Sequence, residues 1–517
     1  MKKQNTLSLA LLLCLPAFSR AKTIVIYHTS DVHGWYSARP AEWDNASPER
    51  LIGGFAALAA LVGKEKNPYL LLDSGDWAQG TPEGILTKGM ASVKLMNRLG
   101  YAAAVPGNHD YDYGEANLET LVSSSAFSLL AANIYRKGTE TQPAYLKPYI
   151  LLEKGGKKIA VLGLAGRHTA TSTLPDNVKM LDFRGEAAEA AKWLPEIKKL
   201  NPDAVIVLIH LGFSERFSLN RVDLSTWTFD SAPPGTLELA RAVKGVDLVL
   251  GGHNHTGLLK GYRDSVSGAW FGESVYGLSY TTRAELDFDD ATGRLSGIKV
   301  ALLPLWTDET GEDPGVLKLI AGFNADVERE MGQVIGRAAA DLSFSPDGLD
   351  SPIGNWVADL LREEAGTELA LQNTRGIRAE IKKGDVRIRD LYQAVPFDNT
   401  IVTMRLNGAA LMEIMADNLL YGNSLMQISG FEAEFRPGSG GEPAEIRLLR
   451  GGRTIKAEDE FTVATNNYLA FGGDGGEAFA RGKDIKDTLV PVRDLMAKAL
   501  AKGPAIPPGT GRIKRLR

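Results

Sequence analysis

The chain has 517 residues, 44% of them hydrophobic and 23% charged, with a formal net charge of -5. That length exceeds one ordinary core and implies two domains or three, while the apolar and charged fractions are those of an ordinary globular protein. With so small a net charge, and no basic cluster before the tail Arg512-Ile513-Lys514-Arg515-Leu516-Arg517, nucleic acid or a membrane surface is disfavoured as the main partner. The tail itself reads as a solvated end.

The first 21 residues have the form of a secretory signal: Lys2 and Lys3, an apolar run over residues 7–15, Pro16, then the small-residue pattern Ser19-Arg20-Ala21. Cleavage is expected after Ala21, which places the mature protein in the periplasm or outside the cell. The apolar run is too short to cross a bilayer and no later run of about 18 apolar residues follows, so no membrane span is expected. Cys14, the only cysteine, lies inside the signal, and the bulky Leu13 before it argues against lipid attachment there. The mature chain then has no disulfide and no thiolate ligand, and any metal must be held by His, Asp, Glu or Asn.

The first half alternates short apolar runs (residues 23–27, 69–72, 102–105, 159–162, 204–209 and 246–250) with helical stretches (55–66, 91–99 and 185–200), the pattern of an α/β domain. Near-continuous apolar strands imply a sheet covered on both faces. The strand ends carry the chemistry. His28-Thr29-Ser30-Asp31-Val32-His33-Gly34 follows the first strand, Asp73-Ser74-Gly75-Asp76 the second, and Gly107-Asn108-His109-Asp110-Tyr111-Asp112-Tyr113-Gly114 the third. The run over 204–209 ends in His210-Leu211-Gly212, and that over 246–250 in Gly251-Gly252-His253-Asn254-His255. Ligands of open α/β sheets bind beyond the carboxyl ends of the strands, so five polar clusters at five such ends are expected to meet in one crevice. Taken alone, Pro106-Gly107-Asn108 is equally ordinary turn chemistry.

Residues 281–305 turn to strands, 307–314 form a polar, Pro-bearing joint and 316–331 read as a helix. We therefore expect a first domain over 22–312, an interdomain segment over 313–333 and a second, α+β domain over 334–517. The second domain opens with a strand and a helix over 353–364. Gly332 and Gly336 are either hinge points or a plain helix cap and turn.

Asp31 and His33, two residues apart, leave the strand end on the same side and can reach one cation. Asp76 supplies a carboxylate able to bridge two cations, Asn108 a neutral oxygen, and His210, His253 and His255 three imidazoles. Seven donors with one shared carboxylate fit two divalent ions of four protein ligands each. Such a pair clamps the attacking and leaving oxygens of an in-line displacement and lowers the pKa of a bound water from 15.7 to roughly 7, giving a nucleophile near neutral pH. Mixed imidazole, carboxylate and amide donors suit Zn, Mn, Fe or Co.

Asp-x-His-Gly, Gly-Asp, Gly-Asn-His-Asp, a lone His and Gly-Gly-His-x-His, in this order, resemble the calcineurin-like metallophosphoesterase signature. The fuller blocks at residues 28–34 and 107–114 resemble the secreted bacterial 5′-nucleotidase family. That resemblance implies a four-layer α/β/β/α sandwich followed by an α+β nucleotide-binding domain. It also implies that one metal takes Asp31, His33, Asp76 and His255, and the other Asp76, Asn108, His210 and His253. His109 and Asp112 match its catalytic dyad, in which the imidazole stabilises phosphoryl charge or protonates the leaving oxygen and the carboxylate orients it. Asp110 sits where the family often has Glu and reads as structural, as do His28 and His168.

In the second domain, Asn373-Thr374-Arg375-Gly376-Ile377-Arg378, Val395-Pro396-Phe397 and the block from Asn466 through Tyr468 to Asp474 and Gly475 resemble the family's substrate loops. The resemblance implies phosphate binding by Arg378, base stacking between Phe397 and Tyr468, ribose binding by Asp474, and a base or phosphate contact from Asn373. Core packing is the other reading of each aromatic. Arg375 stands where the family has glycine. A positive φ there would strain it, and an added cation would favour a diphosphate. The expected activity is removal of phosphate from nucleotides by a metal-activated water. Alternatives in the same superfamily are a 2′,3′-cyclic-nucleotide phosphodiesterase with 3′-nucleotidase activity, a UDP-sugar pyrophosphatase and a sulfur-oxidation hydrolase. A catalytically silent nucleotide-binding protein is disfavoured, because no ligand or dyad position is missing.

Overall fold

The structure is a computed structural model that describes residues 23–516 apart from 42, 45, 474 and 475. The expected signal segment, Cys14 and Asp474 lie outside the described residues. Two six-stranded sheets build the first domain. One has the spatial order Leu295–Pro304, Tyr280–Phe288, Thr23–Thr29, Tyr69–Asp73, Ala103–Ala104, Ser128–Leu129. The last four run parallel, and the first two pair antiparallel. The other has the order Tyr262–Arg263, Trp270–Glu273, Leu248–Gly251, Ala204–Ile209, Lys157–Leu164, Tyr149–Lys154, parallel in its middle and antiparallel at both edges.

Strand alternation decides how the layers stack. Ile24, Ile26, Leu70 and Leu72 of the first sheet share one core with Val161, Ile206, Leu208 and Leu250 of the second, so the two sheets pack face to face. The intervening residues point outward. Val25, Tyr27 and Leu71 meet the helices Phe55–Val62 and Met90–Leu99, while Val205, Val207 and Ile209 meet Glu186–Lys199 and Thr236–Ala242. The result is a helix, sheet, sheet, helix sandwich. Continuous apolar strands report that both faces are covered, but not whether a helix or another sheet covers them, so the split into two sheets was not visible in the strand pattern alone.

The helix Pro314–Met331 starts at Asp313, whose carboxylate accepts the Val316 N–H at 2.8 Å. Its Val316 and Ile320 are buried in the helical core of the first domain, and its Glu328 pairs with Arg389 of the second at 2.7 Å. Gly332 caps this helix with its N–H on the Glu328 carbonyl. Gly336 lies in the strand Val334–Ala338, where an added Cβ would stand 2.7 Å from Leu500.

The second domain holds a five-stranded sheet in the order Met426–Ser429, Leu369–Asn373, Glu460–Asn466, Thr400–Asn407, Lys483–Pro491, with one parallel pairing, between Leu369–Asn373 and Glu460–Asn466. The helices Pro352–Ala365 and Val492–Lys502 cover one face; Gly408–Asn418 and a four-stranded sheet cover the other. The basic tail is not a free end: Ile513–Arg515 pairs in parallel with Glu432–Pro437, and Arg512 bonds to Asp359 at 2.7 Å. Ile513 is buried there, which gives the tail an apolar anchor that its charge concealed.

Candidate active site

Five loops at the carboxyl ends of strands from both sheets carry the seven expected donors, and backbone hydrogen bonds hold the loops together. The Asp31 N–H donates to the Gly75 carbonyl, His33 to Asp76 and Gly34 to Trp77, at 2.9 to 3.0 Å. The Asp110 carboxylate accepts the N–H groups of Asp76, Trp77 and Gly107 at 2.8 to 3.0 Å, tying the second loop to the third; this is the structural work read for it from sequence. Gly107 makes that approach feasible, since an added Cβ would lie 2.1 Å from Asp76 Oδ1.

Asp31, His33, Asp76, His253 and His255 all have positive φ, between 50° and 77°. Each such non-glycine conformation costs roughly 1–3 kcal/mol and persists only where the surroundings enforce it. Concentrating the strain on these residues aims their side chains inward from sharply turning loops.

The donor atoms converge. His33 directs Nδ1 to the Gln79 carbonyl at 2.6 Å, so its Nε2 carries the lone pair, and this nitrogen lies 3.1 Å from His255 Nε2 and 3.8 Å from Asp76 Oδ2. His255 Nε2 is 3.7 Å from Asp31 Oδ1. On the other side, His210 gives Nδ1 to the Ser74 carbonyl at 2.6 Å, and its Nε2 lies 3.1 Å from Asn108 Oδ1 and 3.2 Å from Asp76 Oδ2. His253 Nδ1 is 3.1 Å from the same Asn108 oxygen, whose amide is turned that way by donating to the Ser172 carbonyl at 2.9 Å. The ligand atoms crowd together in two adjoining groups with Asp76 reaching both, an arrangement that suits cations. The groups Asp31, His33, His255 and Asp31, Asp76, His210 each bring their ligand atoms within 4.8 Å of one another.

Burial penalises charge throughout. It pushes His33 down to about 3 and His253 and His255 well below the usual imidazole value, so they stay neutral donors. It also raises Asp31 and Asp110 to about 7. Asp76 is held well below the carboxylate range, its burial outweighed by the surrounding imidazoles, above all His210; conversely, Asp76 outweighs the burial of His210 and raises it to about 10. A cation bound by this pair must displace the proton they share.

His109 gives Nδ1 to Asp112 Oδ2 at 2.8 Å. Burial opposes its protonation, but Asp112 and then Asp76 prevail and its pKa rises. Thr173 Oγ donates to Asp112 Oδ1 at 2.9 Å and keeps that carboxylate oriented. His109 faces the second domain: its Nε2 is 3.2 Å from Arg378 Nη2, and its ring stacks on Phe397 at 5.3 Å and 26°. A cavity of about 510 Å³ opens here, lined by Asn108, His109, His253, Asn373, Arg378 and Tyr468 among others, within the size range of small-molecule sites.

The remaining expected substrate contacts differ in detail. Asn373 Oδ1 accepts from Asn466 and Gln372 at 2.9 and 3.0 Å, which leaves its NH2 to recognise an acceptor. Tyr468 gives its hydroxyl to the Thr171 carbonyl at 3.2 Å, across the domain boundary. Arg375 lies in the turn Thr374–Gly376 without a positive φ, so the feared strain does not arise, and its guanidinium pairs with Glu215 of the first domain at 3.2 Å. His28, buried, bonds Ser74 Oγ at 2.8 Å behind the site. His168, set aside from sequence, stacks on His253 at 3.7 Å and lines the cavity. The signal that could have found it is positional, since it too closely follows a strand, Lys157–Leu164.

Comparison with known proteins assigns this arrangement its class. Residues 24–257 match the calcineurin-like phosphoesterase model, so the protein is a metal-dependent phosphoesterase. Residues 334–481 match the 5′-nucleotidase C-terminal domain, and the chain therefore belongs to the 5′-nucleotidase family, which joins the two. Protein UshA of Yersinia enterocolitica is 28% identical over 510 residues, covering 89% of this chain and 88% of that protein. The trifunctional nucleotide phosphoesterase YfkN of Bacillus subtilis is 27% identical over 508 residues, but this chain spans only 33% of its length. Among solved structures, a 5′-nucleotidase precursor from Thermus thermophilus shares the fold with a TM-score of 0.83 at 24% identity, covering 96% of this chain and 99% of that one.

Proposed function

We propose that the protein is a secreted, dinuclear-metal phosphohydrolase of the 5′-nucleotidase type, with a first domain over 22–312 that carries the metals and a second over 334–517 that selects the nucleotide. The observation behind this reading is the contact between the two halves: His109 Nε2 stands 3.2 Å from Arg378 Nη2, beside the converging donors and at the wall of a cavity of about 510 Å³. One cation would be held by Asp31, His33, Asp76 and His255, the other by Asp76, Asn108, His210 and His253. Bound divalent ions supply Lewis acidity, making water nucleophilic near neutral pH and offsetting phosphoryl charge.

The residues around them do the rest. A phosphoryl oxygen entering between His109 and Arg378 would accept a hydrogen bond from each, and the planar guanidinium suits that geometry. With Asp112 fixing Nδ1–H, a protonated His109 has one remaining N–H, at Nε2, which serves either that phosphoryl oxygen or the leaving oxygen that it protonates as the ester bond breaks. Phe397 and Tyr468 hold the base, Asn373 donates through its amide, and Asp474 takes the ribose. Glu215 offsets the charge of Arg375, which favours a nucleoside monophosphate over a diphosphate.

A substrate panel of AMP, 3′-AMP, 2′,3′-cyclic AMP, ATP and UDP-glucose, assayed with Zn, Mn, Fe or Co after chelation, tests this. The highest kcat/KM is expected for AMP. Binding of AMP without hydrolysis under every metal would instead mark a silent nucleotide-binding protein.

A further inference from the structure

His168 has no place in the motif that carries the expected ligands, yet its ring lies over His253 with centroids 3.7 Å apart and planes at 28°, and 6.0 Å from the ring of His210. One nitrogen from each of His168, His210 and His253 falls within 4.8 Å of the others. Its backbone fixes the ring there. The His168 carbonyl accepts the N–H groups of Thr171 and Ser172 and the Ser172 hydroxyl, so the residue starts the short helix Thr169–Ser172. The ring folds back over Gly166, where an added Cβ would stand 2.0 Å from Cε1.

Buried side-chain nitrogens are usually hydrogen-bonded; His28 also leaves one without a partner among the described residues, but unlike His168 it does not line the cavity. In His168, Nε2 is buried and has no hydrogen-bond partner among the described residues. An imidazole nitrogen without a partner, beside two other imidazoles at the wall of the cavity, is a donor waiting for an acceptor of electron pairs.

We propose that His168 supplies an additional imidazole to the cation held by Asp76, Asn108, His210 and His253. The inference rests on the two-cation reading given above. It makes the two positions chemically unequal: two nitrogens and two oxygens at one, three nitrogens and two oxygens at the other. The nitrogen-richer position should then prefer zinc or cobalt over manganese, while the other discriminates less.

The test is Co(II) titration of the chelated full-length protein, following stoichiometry by competition with a chromophoric chelator and geometry by the visible d–d spectrum. Wild type is compared with His168→Phe, which keeps a stacking ring without a nitrogen, and with His168→Ala, which loses both. We expect wild type to bind two ions. Both variants should weaken one of them about equally, by ten-fold or more, with an altered spectrum at that position and the other ion unchanged. Should His168→Phe fail to fold, His168→Gln, which offers a poorer donor, is expected to give an intermediate loss. Wild-type affinity and spectrum in His168→Phe, with a loss in His168→Ala alone, would overturn the inference and reduce His168 to a stacking ring. Wild type binding fewer than two ions would instead overturn the two-cation reading beneath it.

Discussion

The two walls of the cavity are built on different terms. On the first-domain side, Asp31, His33, Asp76, Asn108 and His210 are almost wholly buried, five of the seven expected donors sit in strained backbone, and every loop is bonded to its neighbour. On the second-domain side, Asn373 is buried and held by Gln372 and Asn466, but Arg375 has a side chain 46% exposed and Tyr468 reaches across through its hydroxyl. Rigid, over-determined groups suit bond-breaking chemistry, where small displacements are costly; adaptable surface groups suit substrate selection. Changes on the first wall should therefore lower kcat, and changes at the base-binding groups of the second, such as Tyr468, should raise KM; Arg378, 3.2 Å from His109, belongs in function with the first.

His109→Ala should have the largest effect, a fall in kcat of about two orders of magnitude or more with metal content intact, the usual scale for losing an acid or charge stabiliser. Steady-state kinetics with metal analysis on the same sample checks it, and unchanged turnover would remove His109 from the chemistry. Asp112→Asn should cost about 10–100-fold and also move the pH profile. His109 acts in its protonated form, so turnover is expected below its raised pKa and is lost as pH climbs through it. Without the Asp112 charge that pKa drops, and the alkaline limb of kcat should shift to lower pH; an unmoved limb would assign the titration to another group.

Across the cavity, Tyr468→Ala should raise KM for AMP with kcat nearly preserved, in keeping with a stacking contribution of about 1–3 kcal/mol. A pure loss of kcat would break the division between the walls. The smallest effect is expected from Arg375→Gly. Since Glu215 already neutralises this exposed cation, the ratio of AMP to UDP-glucose turnover should change by no more than a few-fold. A large shift in that ratio would make Arg375 a determinant of substrate charge.

Much of this division could be read from the chain. The ligand-type residues follow apolar strands directly, and the rule that sites lie beyond strand carboxyl ends brought Asp31, Asp76, Asn108, His210 and His253 to one place before any geometry was known. The positive φ of these loops could not be read, because Asp and His do not announce a left-handed backbone as glycine does. Nor could the partner of Arg375: Glu215 lies 160 residues away, at the start of the short 3-10 helix Glu215–Phe217. The basic tail misled because its charge masked Ile513, whose burial comes from a strand pairing formed only in the folded domain. The sequence does not single out His168, because a motif names what relatives share, while its stacking on His253 is a fact of three dimensions.

The central claim is that the first wall seats a pair of divalent ions joined by Asp76. Metal analysis of the chelated and reconstituted protein, for wild type, His33→Ala, His210→Ala and Asp76→Ala, tests it most directly. The account predicts two ions per chain in wild type, one in each histidine variant and a loss at both positions in Asp76→Ala. A single ion in wild type, or two ions retained in Asp76→Ala, would contradict it.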